Sequence, residues 1–142
     1  MKKIWFKLIN LFVFTISLSG CSKYYRYDFE ELVGYVEEIY IVEVERTKYY
    51  GDISIDYLVE IEEDFADFVN ELKSLEYNSS LFLHPQNNIG INIMLFCNNE
   101  KYDYVIVGLN GVEKFKNNEQ TYLYNAWCTE EDFNEILNKY YK

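Results

Sequence analysis

The stretch "YVIVGLNGVEKFK", residues 104–116, decides how the rest of the chain is read. β-Branched and aromatic residues stand on both sides of Asn110-Gly111, a dipeptide typical of tight hairpin turns. It predicts two antiparallel strands, about 102–109 and 112–116. The pattern repeats outward, with strands of about 89–97 and 121–128 joined through "NNEK" and "NNEQ". Together they form a four-stranded meander.

Pairing through these turns assigns each side chain to a face, because side chains alternate along a strand. One face collects Ile91, Ile93, Leu95, Cys97, Tyr104, Ile106, Phe115, Tyr122, Tyr124, Ala126 and Cys128. The other collects Asn92, Met94, Phe96, Asp103, Val105, Val107, Leu109, Val112, Lys114, Leu123, Asn125 and Trp127. The first is the more continuously apolar, so the helices are expected there. On the second, Phe96, Val105, Val107, Leu123 and Trp127 form a candidate binding patch. Two readings of that patch stand: a docking surface, or a row covered by the N-terminal tether or by "DFEELVGYV".

Upstream, "VEEIYIVEVER" (36–46) reads as a strand, and "ISIDYLVEI" (53–61) as its partner with Ile53, Ile55, Tyr57, Val59 and Ile61 on one face. "EEDFADFVNELKSL" (62–75) is an amphipathic helix with acids in its first turn. "NSSLFLHPQNN" is a connection. Thr129, with Asp132 three residues on, caps a last helix. The stretch "DFEELVGYVEE" is ambiguous, since helical spacing of Phe29, Leu32, Val33 and Val36 competes with Gly34. The expected order is ββαββββα, an α+β domain over residues 36–142 with two helices on one sheet face, preceded by a tether or short helix over 21–35.

Motifs for catalysis or cofactor binding do not appear. His84, the single histidine, precedes Pro85 in a connection and has no fixed acidic or nucleophilic partner in sequence. Asp52, Ser54 and Asp56 have alternate spacing, but the glycine a calcium loop needs is missing. No cofactor, metal site or catalytic set is expected, and the carboxylates of "VEIEEDFAD" read as helix-terminal charge on a solvated face. Cys97 and Cys128 fall on the two outer strands of the meander, too far apart to bridge, and read as buried free thiols.

The 142-residue chain carries a formal charge of −11. Such a body is repelled by phosphate backbones, which argues against nucleic acid. The charge has two readings, complementarity to a protein partner of basic character or acidity that serves solubility alone.

The N-terminus reads "MKKIWFKLINLFVFTISLSGC". Lys2, Lys3 and Lys7 precede an apolar run of about a dozen residues, too short to span a bilayer core that needs roughly 20. It has the layout of a signal peptide. Leu18-Ser19-Gly20-Cys21 then resembles the lipobox of bacterial lipoproteins at every position. The resemblance covers residues 1–21 and implies cleavage between Gly20 and Cys21, with diacylglycerol on the Cys21 thiol. It also implies attachment to the extracytoplasmic face of the cell membrane through that lipid. Removal of residues 1–20, which carry three lysines and no acid, takes the charge from −11 to −14. The sequence thus predicts a membrane-anchored binding module rather than an enzyme. The alternative is an inhibitor or immunity-type lipoprotein that neutralises a basic toxin or lytic enzyme.

Overall fold

The computed structural model describes residues 24–47, 52–80, 86–98, 100–124, 126 and 128–142. In chain order these form β1 (Tyr24–Tyr27), α1 (Phe29–Leu32), β2 (Val36–Arg46), β3 (Ile53–Glu60), α2 (Phe65–Ser74) and β4 (Tyr77–Ser80). After them come β5 (Gly90–Cys97), β6 (Tyr104–Gly108), β7 (Gly111–Lys116), β8 (Glu119–Tyr124) and α3 (Glu130–Tyr140). Six strands make an antiparallel sheet in the order β3-β2-β5-β6-β7-β8, while β1 and β4 pair as a separate ribbon. The architecture is α+β, as expected.

Two of the three described helices, α1 and α3, start at a side-chain cap. Thr129 Oγ1 accepts the Asp132 N–H at 3.2 Å at the start of α3, leaving Phe133, Ile136 and Leu137 to face inward. Phe68 and Leu72 do the same on α2. The short helix α1 is capped by Asp28, whose side chain accepts from the Glu30 N–H at 2.7 Å. It is no tether: Phe29, Leu32 and Val33 are buried with α2 and α3 against one side of the sheet, where they meet Ile93, Leu95, Val105 and Val107. The Tyr102 hydroxyl donates to the Val33 carbonyl and ties this entry segment to the neighbouring β5–β6 connection. The ribbon β1–β4 takes in Asn78, Ser79 and Ser80, expected as part of a connection, and Tyr77 before them brings its ring into the same core.

The β5–β6 and β2–β3 registers differ from the sequence expectation, each for a local cause. The β5–β6 connection closes where Cys97 N–H donates to Asp103 O at 3.2 Å, not at Tyr102. Asp103 is held there by the Lys116 ammonium and the Asn117 N–H, each at 2.7 Å, while Tyr102 drops into the core. Phe96 therefore lies opposite Tyr104, Leu95 opposite Val105 and Ile93 opposite Val107. A slip of one residue exchanges faces. Tyr104, Ile106 and Phe115 leave the helix side, and Val105, Val107 and Val112 join it. The second difference is in β3, whose register passes from Val42↔Tyr57 to Ile41↔Val59. Leu58 is the extra residue of a bulge. It leaves Ile53 and Ile55 on the helix-free side and carries Val59 and Ile61 to the helices.

The hairpin at 104–116 is present, but its turn residues are Leu109-Asn110, with Gly108 paired to Gly111. The left-handed pair stands one hairpin later, at Asn117 (φ 52°) and Asn118 (φ 63°) between β7 and β8. The first turn is instead held from outside by Asn88. Its amide donates to Gly111 O at 2.9 Å and accepts the Asn110 N–H at 3.1 Å. A methyl group at Gly108 would sit 2.1 Å from Asn92 Oδ1 and 2.3 Å from Asn88 Oδ1, so this approach needs glycine.

Asn88 also completes a buried charge pair. Glu113 is fully buried on β7 and accepts from the Arg46 guanidinium at the end of β2 and from the Asn88 N–H at 2.5 Å. Arg46 Nε donates to Asn88 O at 3.2 Å. Burial pushes the Glu113 carboxyl above its ordinary range, and the Asn88 N–H and Arg46 offset part of that. In a flat sheet β2 and β7 are three strand spacings, about 14 Å, apart. This contact, together with a cleft lined by Asp52, Ile53 and Ile55 on one side and Tyr104 and Asn118 on the other, fits a sheet curled toward the side opposite the described helices. Replacing Arg46 with Met leaves the carboxylate buried without its countercharge, an expected cost of about 3–5 kcal/mol in chemical denaturation. Arg26→Met, at the exposed Arg26–Glu76 pair, is expected to cost about 1 kcal/mol or less.

Candidate functional site

The curl gathers the helix-free side into a second cluster made of sheet residues alone: Val42, Val44, Met94, Tyr104, Ile106 and Phe115, with Tyr40, Ile53, Ile55 and Phe96 packed against it. A cleft opens there between Asp52, Ile53 and Ile55 at the β3 edge and Tyr104 and Asn118 from the other half of the sheet. Across this side runs a ladder of rings, one from each of five adjacent strands. Tyr57 (β3) meets Tyr40 (β2) edge-on, with centroids 5.1 Å apart and planes at 88°. Tyr40 meets Phe96 (β5) at 5.8 Å and 84°. Phe96 meets Tyr104 (β6) at 5.7 Å and 51°. Tyr104 stacks on Phe115 (β7) at 4.8 Å and 9°. Edge-on and stacked pairs suit the ring quadrupoles and add about 0.5–1.5 kcal/mol each beyond burial.

The ladder is graded from core to solvent. Phe115 is 1% exposed and Tyr104 5%, whereas Phe96 and Tyr40 are half-buried and Tyr57 is 55% exposed. Two carboxylates border the open end. The Tyr40 hydroxyl lies 3.0 Å from Glu38 Oε2 and 3.1 Å from Glu60 Oε1, and its single proton is shared between the two carboxylates. The hydrogen bond to Glu38, then burial, then the bond to Glu60 push the Tyr40 phenol up to about 12, so it stays a donor at physiological pH. One phenol thus holds two carboxylates beside three partly exposed rings, an arrangement suited to cations and to the alkyl stems of Lys and Arg.

The candidate patch read from the sequence does not exist as one surface. Val105 and Val107 are fully buried under the helices, while Phe96 is on the opposite side in the ladder. Leu123 pairs with Glu113 through its backbone. The Leu123 side chain, Trp127, His84, Gly20 and Cys21 lie outside the described residues. "DFEELVGYV" packs with Val105 and Val107, and takes no part in the ladder cluster. Tyr40, Tyr57, Glu38 and Glu60 were not singled out in the sequence. Their signal was available, since Tyr40, Val42 and Val44 alternate in β2 as Ile53, Ile55 and Tyr57 do in β3, and the two strands are neighbours.

Cys97 and Cys128 are free and buried, and burial pushes their thiols up to about 12 and about 11. Neither is an activated nucleophile. No group of three metal-ligating side chains gathers among the described residues. No described helix is long and apolar enough to cross a membrane. Compared with protein families, curated proteins and solved structures, the chain matches none.

The gradient in burial sets the expected energetics. Phe115→Ala empties a core site and is expected to cost about 3–5 kcal/mol in equilibrium unfolding. Tyr57→Ala removes a ring that is mostly in water and is expected to cost about 1 kcal/mol or less. Equal costs would contradict the graded ladder.

Proposed function

We propose that this chain is a lipid-anchored binding module on the extracytoplasmic face of a cell membrane, taking a basic protein partner on the ladder face rather than acting as an enzyme. The observation that carries the reading is the open end of the ladder, Tyr57, Tyr40 and Phe96, bordered by Glu38 and Glu60 on a sheet side that no described helix covers. Partly exposed aromatic rings beside carboxylates offer a cation both a π face and a countercharge. The charge, −11 for the whole chain and −14 once residues 1–20 with their three lysines are removed, speeds encounter with a basic partner and disfavours phosphate backbones. The same acidity favours the narrower role of an inhibitor or immunity-type lipoprotein that intercepts a basic toxin or lytic enzyme. Anchoring is supplied by the lipobox at Leu18–Cys21. Two acyl chains at about 0.8 kcal/mol per buried methylene hold a small domain firmly on a bilayer.

Protein recovered from cells is expected to begin at Cys21 and to carry diacylglycerol by intact mass. Reconstituted on vesicles, it is expected to retain basic envelope proteins at low salt and release them at high salt. Tyr57→Ala combined with Phe96→Ala should weaken retention by ~tenfold or more. A bare Cys21 still preceded by residues 1–20 would overturn the anchoring. Undiminished retention by the double variant would overturn the binding face.

A further inference from the structure

The ladder ends on β3, and β3 is an edge of the six-stranded sheet. Among the described residues nothing pairs with its outer side. The hydrogen-bond phase of that side follows from the hairpin. Thr47 N–H donates to Asp52 O at 3.2 Å, and the register continues as Arg46↔Ile53, Glu45↔Ser54, Val44↔Ile55, Glu43↔Asp56 and Val42↔Tyr57. Bonded and non-bonded pairs alternate in an antiparallel ladder. Ser54 and Asp56 therefore bond to β2, while the N–H and C=O groups of Ile53, Ile55 and Tyr57 point outward.

The side chains beside that edge are sorted by face. Ile53, Ile55 and Tyr57 stand on the curled, aromatic side with Val42 and Val44. Ser54 and Asp56 stand on the other, where Glu43 and Glu45 lie directly across and all four are exposed. Like charges facing each other, as at Glu43 and Asp56, are unfavourable without a cation between or beside them. The edge holds no Pro and no Lys, the residues that commonly block strand addition.

We propose that β3 accepts an extended segment of a basic protein as a seventh, antiparallel strand, with apolar side chains on the ladder side alternating with Lys or Arg on the Asp56 side. This deepens, and rests on, the reading of the ladder face as a binding surface. Main-chain bonds to Ile53, Ile55 and Tyr57 supply affinity, and the period-two alternation of apolar and basic residues supplies specificity. A second copy of this chain is a poor occupant, because β3 against β3 would bring Asp56, Glu43 and Glu45 of both copies together.

The test uses a capped peptide of alternating valine and lysine matched to β3 in length, and amide hydrogen exchange on the intact mature protein. Exchange at Ile53, Ile55 and Tyr57 is expected to slow ~tenfold or more on binding, with Ser54 and Asp56 unchanged. A valine–glutamate peptide should give no protection. Ile55→Pro, which removes one outward donor and leaves the rings in place, should abolish binding while Ile55→Val keeps it. Peptide binding that survives Ile55→Pro but fails in Tyr57→Ala with Phe96→Ala would overturn strand addition and leave the ladder reading standing. Binding that survives both would overturn the two together. Concentration-dependent dimerisation with protection at the same three amides would assign the edge to a second copy and overturn the basic strand.

Discussion

The carboxylate of Glu113 is fully buried on one side of the sheet. A buried charge of that kind is tolerated when it is paired and hydrogen-bonded, and its isolation costs several kcal/mol. Its partners come from two separate places, Arg46 at the end of β2 and the backbone of Asn88, while Glu113 itself stands on β7. A curled sheet brings the three together. The same Asn88 caps the Leu109-Asn110 turn and crowds Gly108, so the network also fixes the hairpin at the centre of the sheet. Curvature, turn and charge are one constraint.

From that curvature follows the division of the molecule into two sides with different work. One side is closed by α1, α2 and α3 and supplies most of the buried apolar surface. The other closes on itself, which buries Ile106, Phe115 and Tyr104 but leaves the β2–β3 end open to solvent. A ladder of rings that begins in the core and ends in water offers a rigid aromatic surface at small ordering cost, because its inner members are already fixed by packing. Glu38 and Glu60 give that surface a sign. The acid-rich opposite side of the same edge gives a strand-like partner a reason to alternate.

Much of the architecture was legible in the sequence, because it is written in local signals. The hairpin around Asn110, the Thr129 cap and the apolar stripes of the two long helices all predicted elements that the structure contains. Misreadings arose where one residue changes phase. Tyr102 looks like the first residue of β6, yet it leaves the strand for the core and donates to Val33, and that single step moves Val105 and Val107 to the opposite face. Leu58 does the same in β3 by entering a bulge. Propensity and alternation do not mark such positions, which depend on partners some 70 and 17 residues away. The ribbon β1–β4 was invisible for a related reason, since four-residue strands with little alternation become strands by finding each other. The candidate site was half legible: Phe96 was recognised, but it was grouped with residues that lie behind the sheet.

The most direct test of the account is the set of ring-to-ring nuclear Overhauser contacts in the folded protein. The β5–β6 register described here predicts an unbroken series from Tyr57 to Tyr40 to Phe96 to Tyr104 to Phe115, with no contact between the Phe96 ring and the methyl groups of Val105 or Val107. A Phe96 ring in contact with those methyls, and none with Tyr104, would place the strands one residue out of phase and dissolve the aromatic face.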